Sequence, residues 1–398
     1  LKECDWIIEV ISERLDWKQG LYKKIIPYIN DNAVVTSNTS GIALSDLSDG
    51  LSDDFLKKFF ITHFFNPPRY MKLVEIIKSD KTDSHLVEFM DEFLQGTLGK
   101  GVVYAKDTPN FIANRIGVYG MMVTLEEAKK RNLSVEDVDA LTGTLIGRPK
   151  SATFRTADVV GLDTMAFVTK TAYDKCVDDP ERGIFKVPDY LHKMLDNKWL
   201  GQKTKQGFYK KIDKGVIHSI NLDTLEYSPM NKKRYGAIAL AKERMYLKDK
   251  LNAVVRSKDV AGEFLWASIS RSLLYSINNL NSISDGIVSV DQALKWGFGW
   301  EMGPFEVLDS IGLKYFTTRL KKEGKSIPSF ISEMINNGLS SIYVYRNGLR
   351  YYYCPKTKDY IQIKTHEKEL SFQLLKNKNN IINKHWSASL VDLGEGVA

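Results

Sequence analysis

What this sequence lacks narrows the possibilities first. It has three cysteines in 398 residues (Cys4, Cys176 and Cys354), and no two stand at a metal-binding or redox spacing. That excludes a disulfide scaffold or a zinc ribbon and fits a reducing cytoplasm. No stretch approaches the roughly 18 uninterrupted apolar residues of a membrane-spanning helix. No secretory leader is visible either, because the charged start LKECDW leads straight into WIIEVI. Charge of one sign is lacking too: 56 basic residues stand against 49 acidic ones, for a net charge of +7. With no recognisable RNA- or DNA-binding module, nucleic acid is not an expected partner, whereas a phosphorylated small molecule suits a mildly basic surface. A glycine-rich phosphate turn is also missing. No G-x-G-x-x-G occurs, and Gly297-Phe298-Gly299 followed by Gly303 has the wrong spacing.

What is present divides the chain. At about 100–200 residues per domain, two or three domains are expected. Within residues 1–107, apolar β-rich runs at Trp6–Ile11, Ala33–Ser37, Phe59–Phe64, Met71–Lys78 and Val102–Ala105 alternate with helical periodicity at Glu13–Asn30 and His85–Leu98. This pattern predicts a mostly parallel α/β sheet covered on both faces. From Asp107 onward the pattern is helical, over Phe111–Lys130, Ser134–Gly147, Asp163–Cys176 and Val187–Asn197, with Ser134 as an N-cap. Residues 211–234, rich in lysine and polar side chains, read as a connector. A second helical block follows over 235–363 and includes a hairpin at Ile342–Tyr353 around Asn347-Gly348. Residues 364–385 read as a linker. Phe154-x3-Asp158-x2-Gly161-Leu162 recurs as Phe305-x3-Asp309-x2-Gly312-Leu313, which suggests that one helical domain, 108–210, is duplicated in the second block.

Three places carry residues capable of chemistry. Ser37-Asn38-Thr39-Ser40 follows a buried strand, where open α/β sheets bind ligands, although such runs also serve as plain polar turns. His63 ends one strand and Glu75 lies on the next, with Asn66-Pro67-Pro68-Arg69 turning the chain between them. An imidazole beside a carboxylate can take a proton from an alcohol, and a core histidine with a surface glutamate has the same spacing. Asn114 lies on the helix after Thr108-Pro109, with Asn110 and Phe111 at its start, where its amide either reaches the sheet edge or is simply exposed.

Taken in order, Ile8-Glu9-Val10 with Glu13 and Lys18, SNTS (37–40), HFFNP (63–67) with MKLVE (71–75), KDTPNFIANR (106–115) and GRPKSATFRTADVVGLDT (147–164) resemble the 3-hydroxyacyl-CoA dehydrogenase family. GQKTKQGFY (201–209) is similar to the end of that family's helical domain. The resemblance implies an α/β plus all-α chain, with part of a Rossmann-like NAD-binding domain followed by two repeated helical C-terminal domains. It implies NAD as cofactor and an L-3-hydroxyacyl-CoA as substrate, oxidised to the 3-oxoacyl-CoA in fatty-acid β-oxidation. His63 would be the general base, Glu75 its orienting partner, and Ser40 and Asn114 hydrogen-bond donors to substrate oxygens and the histidine. Glu13, Lys18 and Asn66 would lie beside the nicotinamide-ribose end of the cofactor, with Asn38 a further cofactor contact.

The resemblance has departures. Asn110 stands where the family commonly has glycine. Without the glycine-rich turn the chain is expected to be cut at its start and to bind NAD poorly alone. The second block carries WGFGWEMGPFEVLDSIGL (296–313), and Ser270-Arg271 is expected opposite Asn114-Arg115. The second copy would then lack the amide and pack on the first, doing within one chain what a partner subunit does in shorter relatives. Residues 386–398 resemble the opening of a crotonase-like enoyl-CoA hydratase domain, which implies a bifunctional parent protein. Two rival readings stay open: a dehydrogenase of a free hydroxy acid, and a non-catalytic scaffold. The repeat and the hydratase-like tail argue against the first, and the intact set of Ser40, His63, Glu75 and Asn114 against the second.

Overall fold

Five short apolar strands form one sheet in the order β1 (Trp6–Glu9), β2 (Val34–Ser37), β3 (Phe59–Phe64), β4 (Leu73–Ile77) and β5 (Gly101–Tyr104). The computed structural model describes residues 1–231, 233–364, 370, 372–377 and 380–398. β1 pairs with β2, β2 with β3 and β4 with β5 in parallel, while β3 and β4 are antiparallel. The link between β3 and β4 is too short for the helical crossover that parallel strands require. Alternation along β3 sends Phe59 and Ile61 to one face and Phe60 to the other. The first face packs with Tyr22 of the helix Leu15–Ile25, and the second with Val87 and Met90 of the helix Ser84–Glu92. The sheet is therefore covered on both sides, as its unbroken apolar strands predict.

Past β5 the chain becomes helical around a central buried helix, Ala113–Lys130. Ser134 and Asp137 form a reciprocal capping box at the start of the helix Val135–Thr142, as their spacing predicts. Both F-x3-D-x2-G-L segments fold alike. Phe154–Val160 and Leu162–Lys175 meet at Gly161, at φ 101°, and Pro304–Ile311 and Leu313–Lys322 meet at Gly312, at φ 90°. Positive φ of this size is available to glycine and strained for other residues.

The same carboxylates then fasten both blocks. Asp139 accepts the backbone N–H groups of Thr153, Phe154 and Arg155 at 3.1, 2.7 and 3.1 Å and the phenol of Tyr209 at 2.8 Å. Asp291 accepts the N–H groups of Phe305 and Glu306 at 2.8 and 3.2 Å and the phenol of Tyr343 at 2.6 Å. Asp158 accepts from the N–H groups of Phe208 and Tyr209, and Asp309 likewise from those of Ile342 and Tyr343. Asp158 and Asp291 are buried and Asp139 and Asp309 half-buried, and each thus satisfies donors that the ends of short helices and strands leave unpaired.

One expectation about organisation is corrected here. Residues 211–234 are not a bare connector: Tyr209–Asp213, Val216–Ile220 and Tyr227–Pro229 form a three-stranded antiparallel meander. Its outward lysines give it the composition of a loop. The hairpin expected at 342–353 is present as Tyr343–Arg346 with Leu349–Cys354, joined by Asp359–Gln362 as a third strand. Asn347 and Gly348 take φ of 50° and 77° at its turn. Of the span expected to be a linker, residues 365–369, 371, 378 and 379 lie outside the described residues, while Ile381–Lys384 pairs with Ser389–Val391. Replacing Asp139 with Ala strands three N–H donors and a phenol, and is expected to cost on the order of 3 kcal/mol by urea denaturation. An unchanged midpoint would mean that water replaces the carboxylate there.

Candidate active site

His63 and Glu75 are directly paired across β3 and β4. Because 59, 61 and 63 share one side of the strand, the imidazole points to the face that carries Phe59 and Ile61. Its Nδ1 lies 2.8 Å from Glu75 Oε2, with His63 3% exposed and Glu75 fully buried. The other carboxylate oxygen, Oε1, accepts the backbone N–H groups of Ile112 and Ala113 at 3.1 and 2.9 Å. These are the first donors of the helix Ala113–Lys130, which has no side-chain cap of its own at Ile112. Glu75 therefore caps that helix, and the positive end of the helix favours the carboxylate. Phe65 and Phe111 flank the imidazole at ring-centre distances of 4.6 and 5.6 Å.

The same helix brings Asn114 to the polar turn after β2. Asn114 Nδ2 points at the carbonyl of Ser40 at 3.5 Å, the long limit of a hydrogen bond. Asn38 extends β2, and its Oδ1 accepts the N–H of Phe64 at 2.8 Å, which fixes the strand end beside His63. Glu13 Oε1 accepts from the Thr39 hydroxyl at 2.5 Å and from the N–H groups of Ser40 and Gly41 at 2.8 and 3.1 Å.

Beneath this turn lies a buried ionic cluster. Lys18, 1% exposed, donates to both oxygens of Glu9 at 2.8 and 2.9 Å and to the Ile11 carbonyl at 3.1 Å, with Glu13 3.4 Å away. Glu9 also accepts from the hydroxyls of Tyr22 and Ser37 at 2.9 and 2.6 Å. Burial, reinforced by the charge of Glu9, pushes the Tyr22 phenol above its usual range, so it remains a donor.

Of the eight residues singled out in the sequence, the structure links His63, Glu75, Asn114 and Ser40 through one chain of contacts. Asn38 and Glu13 lie at the same turn, their side-chain oxygens accepting from the backbone. Lys18 lies beneath them with its three protons already donated. Asn66 is exposed in the turn after β3 and makes no hydrogen bond to the other seven, all of which are described. The sequence named Ser37 and Thr39 only as members of a polar turn and Glu9 only within a motif, and gave none of the three a partner. Tyr22, read only as part of a helical pattern, is the one member of the cluster that carried no signal of its own.

Comparison with known proteins gives this geometry a family. Residues 1–108 match the 3-hydroxyacyl-CoA dehydrogenase NAD binding domain, and residues 111–211 match the 3-hydroxyacyl-CoA dehydrogenase C-terminal domain. The chain belongs to the 3-hydroxyacyl-CoA dehydrogenase family. A probable 3-hydroxyacyl-CoA dehydrogenase of Bacillus subtilis is 47% identical over 398 residues, all of this chain and 50% of that protein. A putative fatty acid oxidation complex trifunctional enzyme of Rickettsia felis is 33% identical over 312 residues, 77% of this chain and 42% of that protein. The chain thus spans about half the length of these relatives. The fold of Escherichia coli 3-hydroxybutyryl-CoA dehydrogenase is similar at a TM-score of 0.63 and 19% identity, covering 85% of this chain and 83% of that one. That likeness of fold reaches past residue 211 into the second helical block.

Against the family pattern, Asn110 holds the left-handed turn at φ 65°, which asparagine tolerates better than most residues. NAD suits the described residues at one end only. Val10 and Ile11, just past β1, are exposed apolar side chains at the carboxyl edge of the sheet, beside the Ser37–Gly41 turn. That is where dinucleotides bind in open α/β sheets, and a flat nicotinamide fits it. The helix after β1 begins at Leu15, after Arg14 and without a glycine turn, so this turn forms no pyrophosphate cradle. Among the described residues no helix is long and apolar enough to cross a membrane. Replacing Lys18 alone with Met leaves Glu9 buried without its cation, and is expected to cost roughly 3–5 kcal/mol. Changing Glu9 to Leu as well should recover much of that loss. A double variant no more stable than the single one in urea titration would show that the cluster does more than balance charge.

Proposed function

We propose that the protein oxidises an L-3-hydroxyacyl-CoA to the 3-oxoacyl-CoA in fatty-acid β-oxidation, with His63 as general base. The observation that carries this reading is the bond between His63 Nδ1 and Glu75. A carboxylate on Nδ1 keeps the proton there, which leaves Nε2 as the acceptor for the proton of the 3-hydroxyl. Glu75 is itself held by two helix N–H groups, so the ring is oriented before substrate arrives. NAD, when bound, supplies the hydride acceptor. Ser40 and Asn114 would hydrogen-bond the substrate oxygens, Asn114 from the same helix end that fixes Glu75. Glu13 and Asn66 would border the nicotinamide-ribose end, and Lys18 and Asn38 would act there by holding β1, β2 and β3 in register. Three free cysteines are compatible with a cytoplasmic setting.

The two helical blocks read as copies of one unit. The support is the matched carboxylates: Asp139 and Asp158 in one block, Asp291 and Asp309 in the other, each pair serving a helix start, a tyrosine phenol and the first strand of a three-stranded meander. The offset from Asp139 to Asp291 carries Asn114 onto Trp266 rather than onto Ser270. Either position lacks the amide, so the second copy has a structural part.

The test follows NADH consumption with acetoacetyl-CoA by the full-length gene product. His63→Gln and Glu75→Gln are each expected to lower turnover about 10²–10⁴-fold with folding intact. Undiminished turnover in His63→Gln would overturn the assignment. No turnover in the folded, NAD-binding wild type would count against acetoacetyl-CoA as substrate.

A further inference from the structure

The second helical block does not only cover the first. Its helix Ile287–Phe298 lies against β4 and β5, the strand that carries Glu75 and that strand's neighbour. Close approach is built in by glycine on both sides of the contact. A Cβ on Gly101 of β5 would come within 2.3 Å of the Trp296 ring, and one on Gly117 of the central helix within 2.2 Å of the Phe298 ring. A Cβ on Gly297 would come within 2.7 Å of Leu73 and 3.2 Å of Phe65. Contacts shorter than 3 Å cannot be met without displacement, so each of these glycines lets an aromatic ring or a strand seat directly on backbone.

The seat leads to the imidazole. Phe298 lies 6.3 Å from Phe65, ring centre to ring centre, and Phe65 lies 4.6 Å from His63. Phe65 is 9% exposed and follows β3 immediately, where no strand partner holds it. The ring of His63 is thus fixed at Nδ1 by Glu75 and on one side by Phe65, and Phe65 is backed by the second block. The central helix is also held from the second block one residue past Asn114. There Arg115 donates to the Tyr275 hydroxyl at 2.5 Å while pairing with Asp179 of the first block at 2.6 Å, and Tyr275 stacks on Tyr119 at 3.7 Å between ring centres.

We infer that Phe298 is a positioning residue for His63, acting through Phe65, so that the second block sets the geometry of a site to which it contributes no reacting group. This rests on reading His63 as the base. A chain whose second block served only stability would tolerate Phe298→Ala as it tolerates any cavity of that size in the block.

The experiment uses the full-length gene product with three variants: Phe298→Ala, Phe298→Leu, and Phe316→Ala as a control that removes a phenylalanine ring from the same block away from Phe65, at a more deeply buried position. Phe298→Ala is expected to lower kcat by roughly tenfold or more, with KM for acetoacetyl-CoA within about twofold, as a displaced catalytic group does. Phe298→Leu should restore most of kcat, and Phe316→Ala should melt earlier with kcat near wild type. Independently of turnover, the imidazole NMR signal of His63, assigned by its absence in His63→Gln, should shift in Phe298→Ala and stay in place in Phe316→Ala. If Phe298→Ala does not fold, Phe298→Ile takes its place with the same two readouts. The inference is overturned if the folded variant keeps wild-type kcat and an unmoved His63 signal, or if Phe316→Ala loses as much kcat. Full activity in His63→Gln would instead refute the assignment of the base, and the NMR signal would still decide the positioning.

Discussion

A carboxylate with no exposed surface must be satisfied on every side, and Glu75 is the residue on which this architecture turns. Burying a charge without partners is expensive enough to unfold a domain. Glu75 finds three partners in two elements at once: His63 across the strand pair, and the N–H groups of Ile112 and Ala113 where the central helix starts. That requirement fixes the antiparallel register of β3 and β4, the start of the helix and the direction of the imidazole together. Asn114 follows from it, because a helix begun at Ala113 carries its second residue to the Ser40 carbonyl. One buried acid thereby joins the sheet to the helical region.

The first helical block supplies the other wall of the site. Asn110, at the turn before the central helix, donates to the Val168 carbonyl at 2.9 Å, and a Cβ on Gly41 would come within 3.4 Å of Thr171. The turn that bears Ser40 is therefore pressed between Glu13 on one side and the helix Leu162–Lys175 on the other. The second block approaches from the opposite edge, over β4 and β5. A site built between domains has to be made rigid by contacts from both, because the groups that must align come from different elements.

Much of this was legible from the sequence, and the parts that were not share a cause. Strands whose side chains are all buried announce themselves as apolar runs, so β2, β3 and β4 and the place of His63 and Glu75 were readable. Ser134 was readable as a cap because its partner Asp137 is three residues away. Asp139 and Asp291 were not, since their backbone donors lie 14–16 residues on and an acid within a helix ordinarily faces water. The meander after Tyr209 was hidden by its exposed lysines, which dilute the alternation of a thin sheet. Lys18 carried a family resemblance that suggested a cofactor contact, and only the fold shows its amine taken up by Glu9, Glu13 and a backbone carbonyl. Local chemistry reads from local sequence, while long-range pairing of polar groups does not.

The account depends most directly on which imidazole nitrogen of His63 carries the proton. Nitrogen-15 NMR of the histidine-labelled protein, with His63 assigned through the glutamine variant, measures it at a pH where the ring is neutral. The account requires Nδ1 protonated toward Glu75 and Nε2 bare, ready to accept from an alcohol. A neutral ring protonated at Nε2 would contradict it, because the base would then face the wrong way.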